Sequence, residues 1–355
     1  MQQQDKDRVS YYAALTIFFS FIELFIPKPL PFFRLGIANV PILLSLNLPL
    51  PAFSLLLFLK GIGSSYISGN LFSIFAIVSL AQTFASGYLM FLLKVALGKH
   101  ISNYGLSMAG ALISTYVQIE LASLYIGQSI TKLSGVMLLI SLISSLFVAF
   151  MAGRLNLPET APSLEWNNGK YTGYVEIITL LFSAMAIMMI KTPFFAAMTF
   201  VLALIEQKIL GRKIRIVPHI MILITMIFTS LLTPSGRIIF SIGSWPITIG
   251  SIKTGIEKAF VLSSSVALSQ GYSMLIRPNK GIIGKTLAYY TSLISAFKEN
   301  GNMPILDRIK QSLSIKTLTA REKGKVNIRP LALCLFTITF IGILLLSRIY
   351  PSQHY

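Results

Sequence analysis

The sequence predicts an all-α polytopic membrane protein, and three observations carry that prediction. Hydrophobic residues make up 54% of the chain and charged residues only 12%, with a mean hydropathy of +0.73. A soluble domain spends about 25% of its residues on charge to keep its surface wet, so half that fraction points to lipid as the solvent. The apolar residues also fall in runs that match the roughly 20 residues a spanning helix needs, or the shorter end of that range. Finally, 30 Lys+Arg oppose 12 Asp+Glu, a net charge of +18, and the basic residues sit in the gaps between the runs. That is the positive-inside pattern, and it accounts for a pI near 10.0 without nucleic acid as a partner.

The polar segment 1–10 leads into the first run with no small-residue cleavage signal, which reads as a retained first helix. Candidate spans follow at 11–26, 35–48, 52–67, 71–95, 106–126 and 135–151, then at 175–190, 194–209, 216–232, 255–275 and 331–347. About eleven transmembrane helices are expected. Lys6 and Arg8, Lys94 and Lys99, Arg154 and Lys170, and the group Lys208, Arg212, Lys213 and Arg215 all fall on one side. The strongly basic 277–329 stretch falls there too, so the N-terminus is expected inside and the C-terminus outside.

The long polar break at 154–174 holds Pro158, Pro162, Glu159, Glu165 and the pair Asn167-Asn168, as a boundary between two helical sets would. The chain is therefore divided into residues 1–154, a linker at 155–174, and residues 175–355. Two further segments differ from simple loops. At 233–254, turn residues flank short β-type runs (237–241 and 245–249), the pattern of a hairpin or re-entrant turn on the outside. At 280–325, Ile283, Leu287, Tyr290, Ile294 and Phe297 recur with helical spacing, and Asn302 and Pro304 open a second helix with Leu306, Ile309 and Leu313 on one face. Two basic amphipathic helices on the cytoplasmic side rest on the membrane surface or grip a partner protein.

Several chemistries lack their residues. The aspartates are Asp5, Asp7 and Asp307, so no carboxylate cluster is available for Mg²⁺. His100, His219 and His354 stand apart from Cys or carboxylates at ligand spacing, and Cys334 is the single cysteine, which removes zinc sites and disulfides. Gly284-Lys285-Thr286 resembles the end of a phosphate loop, but Asn279 stands where its first glycine is needed and no strand precedes it. No catalytic, metal or directly bound cofactor site is expected.

Ionisable groups inside apolar helices are functional candidates, because burying them in lipid costs several kcal/mol. Glu23 and Lys60 lie toward the outer side, Gln118 and Glu120 in the middle of the fifth span, and Glu206 and Glu257 in the second half. Lys60 and Glu206 can snorkel to the interface, the reading favoured for Glu206. Glu120, two residues from Gln118, is expected to face the interior.

The segment FIELFIPKPLPFFRLGIANVPILL (21–44), with Ile22-Glu23, Pro27 and Leu35-Gly36-Ile37-Ala38-Asn39, resembles the Gx transporter family, also catalogued as heptaprenyl diphosphate synthase component I. The likeness continues through Lys60, Gly63, Gly69 and 105–111 to Gln118, although Ser114-Thr115 and Val117 stand where the family carries His-Asn and Gly. The family is similar to the six-helix substrate-binding S components of energy-coupling factor transporters. The second half, through 233–270 and the basic helices after it, is similar to their transmembrane T (coupling) component. Such helices end in Ala-Arg-Gly-like motifs that dock partner ATPases, and Ala320-Arg321-Glu322 is the counterpart here.

The resemblance implies an importer subunit in a prokaryotic cytoplasmic (inner) membrane. A small-molecule substrate would meet Glu23, Arg34, Asn39, Lys60, Asn70, Gln118 and Glu120. ATP-binding cassette ATPase subunits would engage Lys285, Arg308, Lys310, Ala320 and Arg321, and ATP would be used only through them. Two other readings stand beside it: an ion-coupled secondary transporter using Glu120 and Glu23, or a non-catalytic membrane accessory of isoprenoid synthesis.

Overall fold

Nearly every apolar run folds as a helix in the computed structural model, which describes residues 3–23, 36–67, 74–126, 131, 133–155, 161–165, 174–243, 245–272, 281–299, 303–313, 317–319 and 330–350. The first half holds α1 (Gln3–Glu23), α2 (Val40–Leu44), α3 (Leu50–Ile67), α4 (Ile74–Leu97), α5 (Asn103–Ile126) and α6 (Ser134–Arg154). A short strand β1 (Ser163–Glu165) precedes the second half, which opens with α7 (Tyr174–Met188), α8 (Pro193–Ile209) and α9 (Ile216–Leu231). The strands β2 (Ile238–Ile242) and β3 (Trp245–Thr248) lead into α10 (Ile249–Tyr272), α11 (Ile282–Glu299), α12 (Ile305–Leu313), β4 (Thr317–Thr319) and α13 (Pro330–Ile349).

Three stretches among the described residues are long and apolar enough to cross a bilayer: 75–100, 134–154 and 332–349. Shorter apolar helices lie at 50–66, 178–188 and 216–231. The chain is thus an all-α membrane protein, with three spans assigned by length and composition where the sequence alone suggested about eleven. The difference has visible causes. The expected span at 35–48 is a 3₁₀ turn (Ile37–Asn39) followed by the five residues of α2. Gly36 starts it in the left-handed region (φ 83°), a conformation that needs glycine, and Pro41, Pro49 and Pro51 limit helical continuation. The first turns of α1 and the Lys253-to-Lys258 segment of α10 dilute those helices with charge.

The first half packs α1 on α3, α3 on α4, α4 on α5 and α5 on α6. Its core gathers Phe18, Phe19, Ile42, Phe53, Leu56 and Leu57, all fully buried. The second half is centred on α10, which packs on α7, α8 and α9, with α13 against α7 and α8. An added Cβ at Gly255 would come within 2.8 Å of the Ile227 Cα. Glycine therefore sets how closely α9 and α10 approach, as small residues do between helices in lipid.

The expected hairpin forms, with β2 and β3 antiparallel. Trp245 anchors it by donating its indole N–H to the Leu231 carbonyl at the end of α9 (2.8 Å).

The amphipathic helices also form, yet the apolar stripe of α11 is occupied by the chain itself. Leu287, Tyr290, Leu293 and Phe297 are buried, and α11 packs along α1. Tyr289 meets Tyr11 edge-on at 5.4 Å between ring centroids, and Phe297 meets Phe18 at 5.6 Å. Such pairs each contribute about 0.5–1.5 kcal/mol beyond the area they bury. Lys285 pairs with Asp7, the Tyr289 hydroxyl donates to the Pro162 carbonyl (2.9 Å), and β1 pairs in parallel with β4. A smaller contact between the halves places Ala122 of α5 among Ile222, Met226, Ala259 and Leu262.

Candidate functional site

The 3₁₀ turn that replaces a full span brings polar groups into the first bundle. The Asn39 N–H closes the turn on the Gly36 carbonyl (2.8 Å). Its side-chain oxygen accepts a hydrogen bond from the Lys60 ammonium of α3. Lys60 is only 6% exposed, and a buried ammonium is tolerated when acceptors meet it. The structure thus joins two of the expected substrate-contact residues.

Asn39 and Gly36 form one wall of a small cavity whose other walls are Ser107, Ser114 and Thr115 of α5 and Ser141, Ser144 and Ser145 of α6. The α6 serines donate to their own helix: Ser141 to Leu138 (2.8 Å), Ser144 to Ser141 (3.1 Å) and Ser145 to Leu142 (2.6 Å). Ser107 donates across to the Ser145 carbonyl (2.8 Å). With their protons so engaged, the hydroxyl oxygens turn acceptor lone pairs to the cavity, while the Asn39 amide supplies donors. About 20 Å³ is enclosed, room for about one water. A larger solute enters only when α5, α6 and the Gly36 turn separate.

The other expected contacts are dispersed. Glu23 is buried at the end of α1 and Gln118 is buried on α5, neither on this cavity. Glu120 is exposed rather than turned inward. At about 100° per residue, side chains two apart point to opposite faces of a helix, so Gln118 and Glu120 do not share a surface. Arg34 and Asn70 lie outside the described residues.

Among the expected coupling residues, Lys285 is paired with Asp7. Arg308 donates through Nε (3.1 Å) and Nη2 (2.7 Å) to the Phe297 carbonyl, and its guanidinium sits 3.9 Å from the Phe297 ring centroid. Lys310 is exposed, and Ala320 and Arg321 lie outside the described residues.

The serines of α6 were missed as site candidates. Their signal is the spacing 141, 144, 145 on one face of an otherwise apolar span. Glu206 also departs from expectation. It is 1% exposed and faces Tyr272 instead of snorkelling, and neither carboxyl oxygen completes a hydrogen bond among the described residues.

Residues 12–155 match the family described as Heptaprenyl diphosphate synthase component I. The N-terminal half is similar to that family. The matched region runs from α1 to the residue after α6, and so contains the Asn39–Lys60 pair and the whole serine-lined cavity. Residues 172–274 match a second family, Domain of unknown function (DUF8519), which spans α7 through α10. No curated protein and no solved structure matches the chain.

Proposed function

We propose that the chain is the integral membrane subunit of an energy-coupling-factor-type importer. The component I half binds a small substrate, and the second half couples it to partner ATPases on the cytoplasmic side of a prokaryotic inner membrane. The seam between α1 and α11 is the observation that supports this most. A force applied to α11 is delivered through Tyr289, Leu293 and Phe297 directly to the first helix of the substrate half. A shift of α1 then moves α3, against which it packs, and with it Lys60.

In this reading the serine-lined cavity is the closed form of the substrate pocket. The Asn39 amide presents donors to a substrate with carbonyl or anionic oxygens, and Lys60 behind it holds the Asn39 side-chain oxygen. The chain itself carries no catalytic step, and ATP acts through the partner subunits.

The family description favours a second reading, in which the component I half is a membrane accessory of prenyl diphosphate synthesis. Co-purification of the tagged full chain from its native membrane separates the two. The importer reading expects ATP-binding cassette ATPases in the complex and ATP-dependent uptake in proteoliposomes. Uptake without any ATPase, abolished by an ionophore, sinks it in favour of an ion-coupled transporter. A prenyl synthase subunit in the complex, with no ATPase, favours the accessory.

A further inference from the structure

A second cavity lies in the other half, between α8, α9 and α10. It encloses about 240 Å³ and is walled by Phe200, Leu204, Ile220, Leu223 and Phe260. Pockets that enclose a whole drug-sized ligand run from about 300 to 1,000 Å³, so this one fits a segment of a molecule, with the remainder outside.

His219 also lines the cavity. It is 5% exposed, and neither ring nitrogen has a hydrogen-bond partner among the described residues. Its contact with the Phe200 ring (5.1 Å between centroids) is edgewise packing and leaves those nitrogens unmet. Ile216 and Val217, on the first turn of the same helix, are 62% and 71% exposed on the outer face, which places the groove beside the surrounding acyl chains.

The mouth of the groove is cationic. Lys213 and Arg215 are exposed and immediately precede α9. The N–H groups of Ile216 and Val217, at the start of that helix, add positive potential there. From residue 207 to residue 256 the sequence contains neither Asp nor Glu to offset it.

We infer that this groove is a binding site for an anionic phospholipid of the surrounding bilayer. One acyl chain lies along Leu204, Ile220 and Leu223, and the head group sits at Lys213, Arg215 and the start of α9. An ester or phosphate oxygen of the lipid meets the His219 ring. The site is independent of the importer reading, since it involves neither the serine-lined cavity nor the α1–α11 seam.

The test is native mass spectrometry of the purified full-length chain with phosphatidylglycerol or phosphatidylcholine of identical chains, alongside a phosphatidylglycerol carrying a photoreactive acyl group. Phosphatidylglycerol is expected to be retained at least tenfold better than phosphatidylcholine. Its photoproducts should map to peptides within 200–223. Lys213→Gln with Arg215→Gln should bring retention down to the phosphatidylcholine level. Leu223→Trp, which fills the groove, should abolish the photoproducts, with Ile220→Trp replacing it should the first variant not remain monodisperse. Equal retention of the two lipids, or photoproducts confined to other peptides, overturns the site. Displacement of phosphatidylglycerol by an equimolar prenyl diphosphate overturns the phospholipid as its occupant.

Discussion

The Lys60 side chain shows how one residue constrains its neighbours. An ammonium in the interior of a membrane bundle must be met by oxygen, and the Asn39 side chain supplies one such contact. Asn39→Leu is expected to cost about 1.5–3 kcal/mol, the range for hydrogen bonds to charged groups. Adding Lys60→Met to that variant should recover most of the loss, because the charge that needed an acceptor is gone. Thermal unfolding in detergent reads both, and a double variant no more stable than Asn39→Leu would show that the pair is not coupled.

Glu206 behaves differently, since its buried carboxyl oxygens have no hydrogen-bond partner among the described residues. An apolar side chain of similar volume removes that desolvation cost, so Glu206→Leu should leave stability unchanged or raise it by about 1–3 kcal/mol. A loss above about 2 kcal/mol would show that the carboxyl supports the fold. Transport lost with stability retained would assign it a working role.

At the scale of elements, close packing decides the second half. A methyl group added at Gly255 would lie 2.8 Å from the Ile227 Cα, too close for the backbones to stay where they are. Gly255→Ala should force α9 and α10 apart at about 1–3 kcal/mol, the usual cost of overpacking. The melting temperature of the detergent-solubilised protein checks this. A variant as stable as the parent would mean that the two helices slide without penalty.

The amphipathic helices show what sequence reading reaches at this scale. The spacing of Ile283, Leu287, Tyr290, Ile294 and Phe297 marks the apolar face from Leu287 onward, because helical periodicity is a local property, while Ile283 at the start of the helix is exposed. It cannot say what covers that face. The cover is α1, whose first residue lies nearly 280 positions earlier in the chain. In the same way, the turn residues at 243–244 mark the β2–β3 hairpin. The β1–β4 pairing, by contrast, links the linker to a strand beyond α12 and has no local signature.

For the whole molecule, the α1–α11 seam ties the chain beyond the second matched region back to the first helix of the first. A protease site inserted within 166–173 of the full chain tests this. After cleavage the two fragments should still migrate together on size exclusion, held by the buried Tyr11, Phe18, Tyr289, Leu293 and Phe297 side chains. Leu293→Asp with Phe297→Asp should separate them, because uncompensated carboxylates in that interface cost several kcal/mol. Co-migration that survives both aspartates would move the principal contact elsewhere, with the Ala122 cluster as the next candidate.

Part of the candidate site was also legible. Lys60 stood out because a charged residue in an apolar run must be met by a partner or ligand, Asn39 stood out through the family resemblance, and the two do meet. The serine wall did not stand out, since serines in membrane helices ordinarily serve packing. Only the convergence of α5, α6 and the Gly36 turn makes them neighbours of Asn39. Glu120 was read inward from its depth along the helix, but depth does not determine rotation about the helix axis.

Composition and the spacing of apolar and basic residues determined that this chain dissolves in lipid, that it is helical, and where most helices begin and end. Those properties follow from solvation and backbone hydrogen bonding, which act over a few residues at a time. The tertiary structure alone decided that 35–48 forms a turn with a short helix rather than a span, and that Glu206 lies inside. It alone decided that α11 belongs against α1. Each of these depends on which distant surface reaches a given face first, and that is settled by packing over the whole chain.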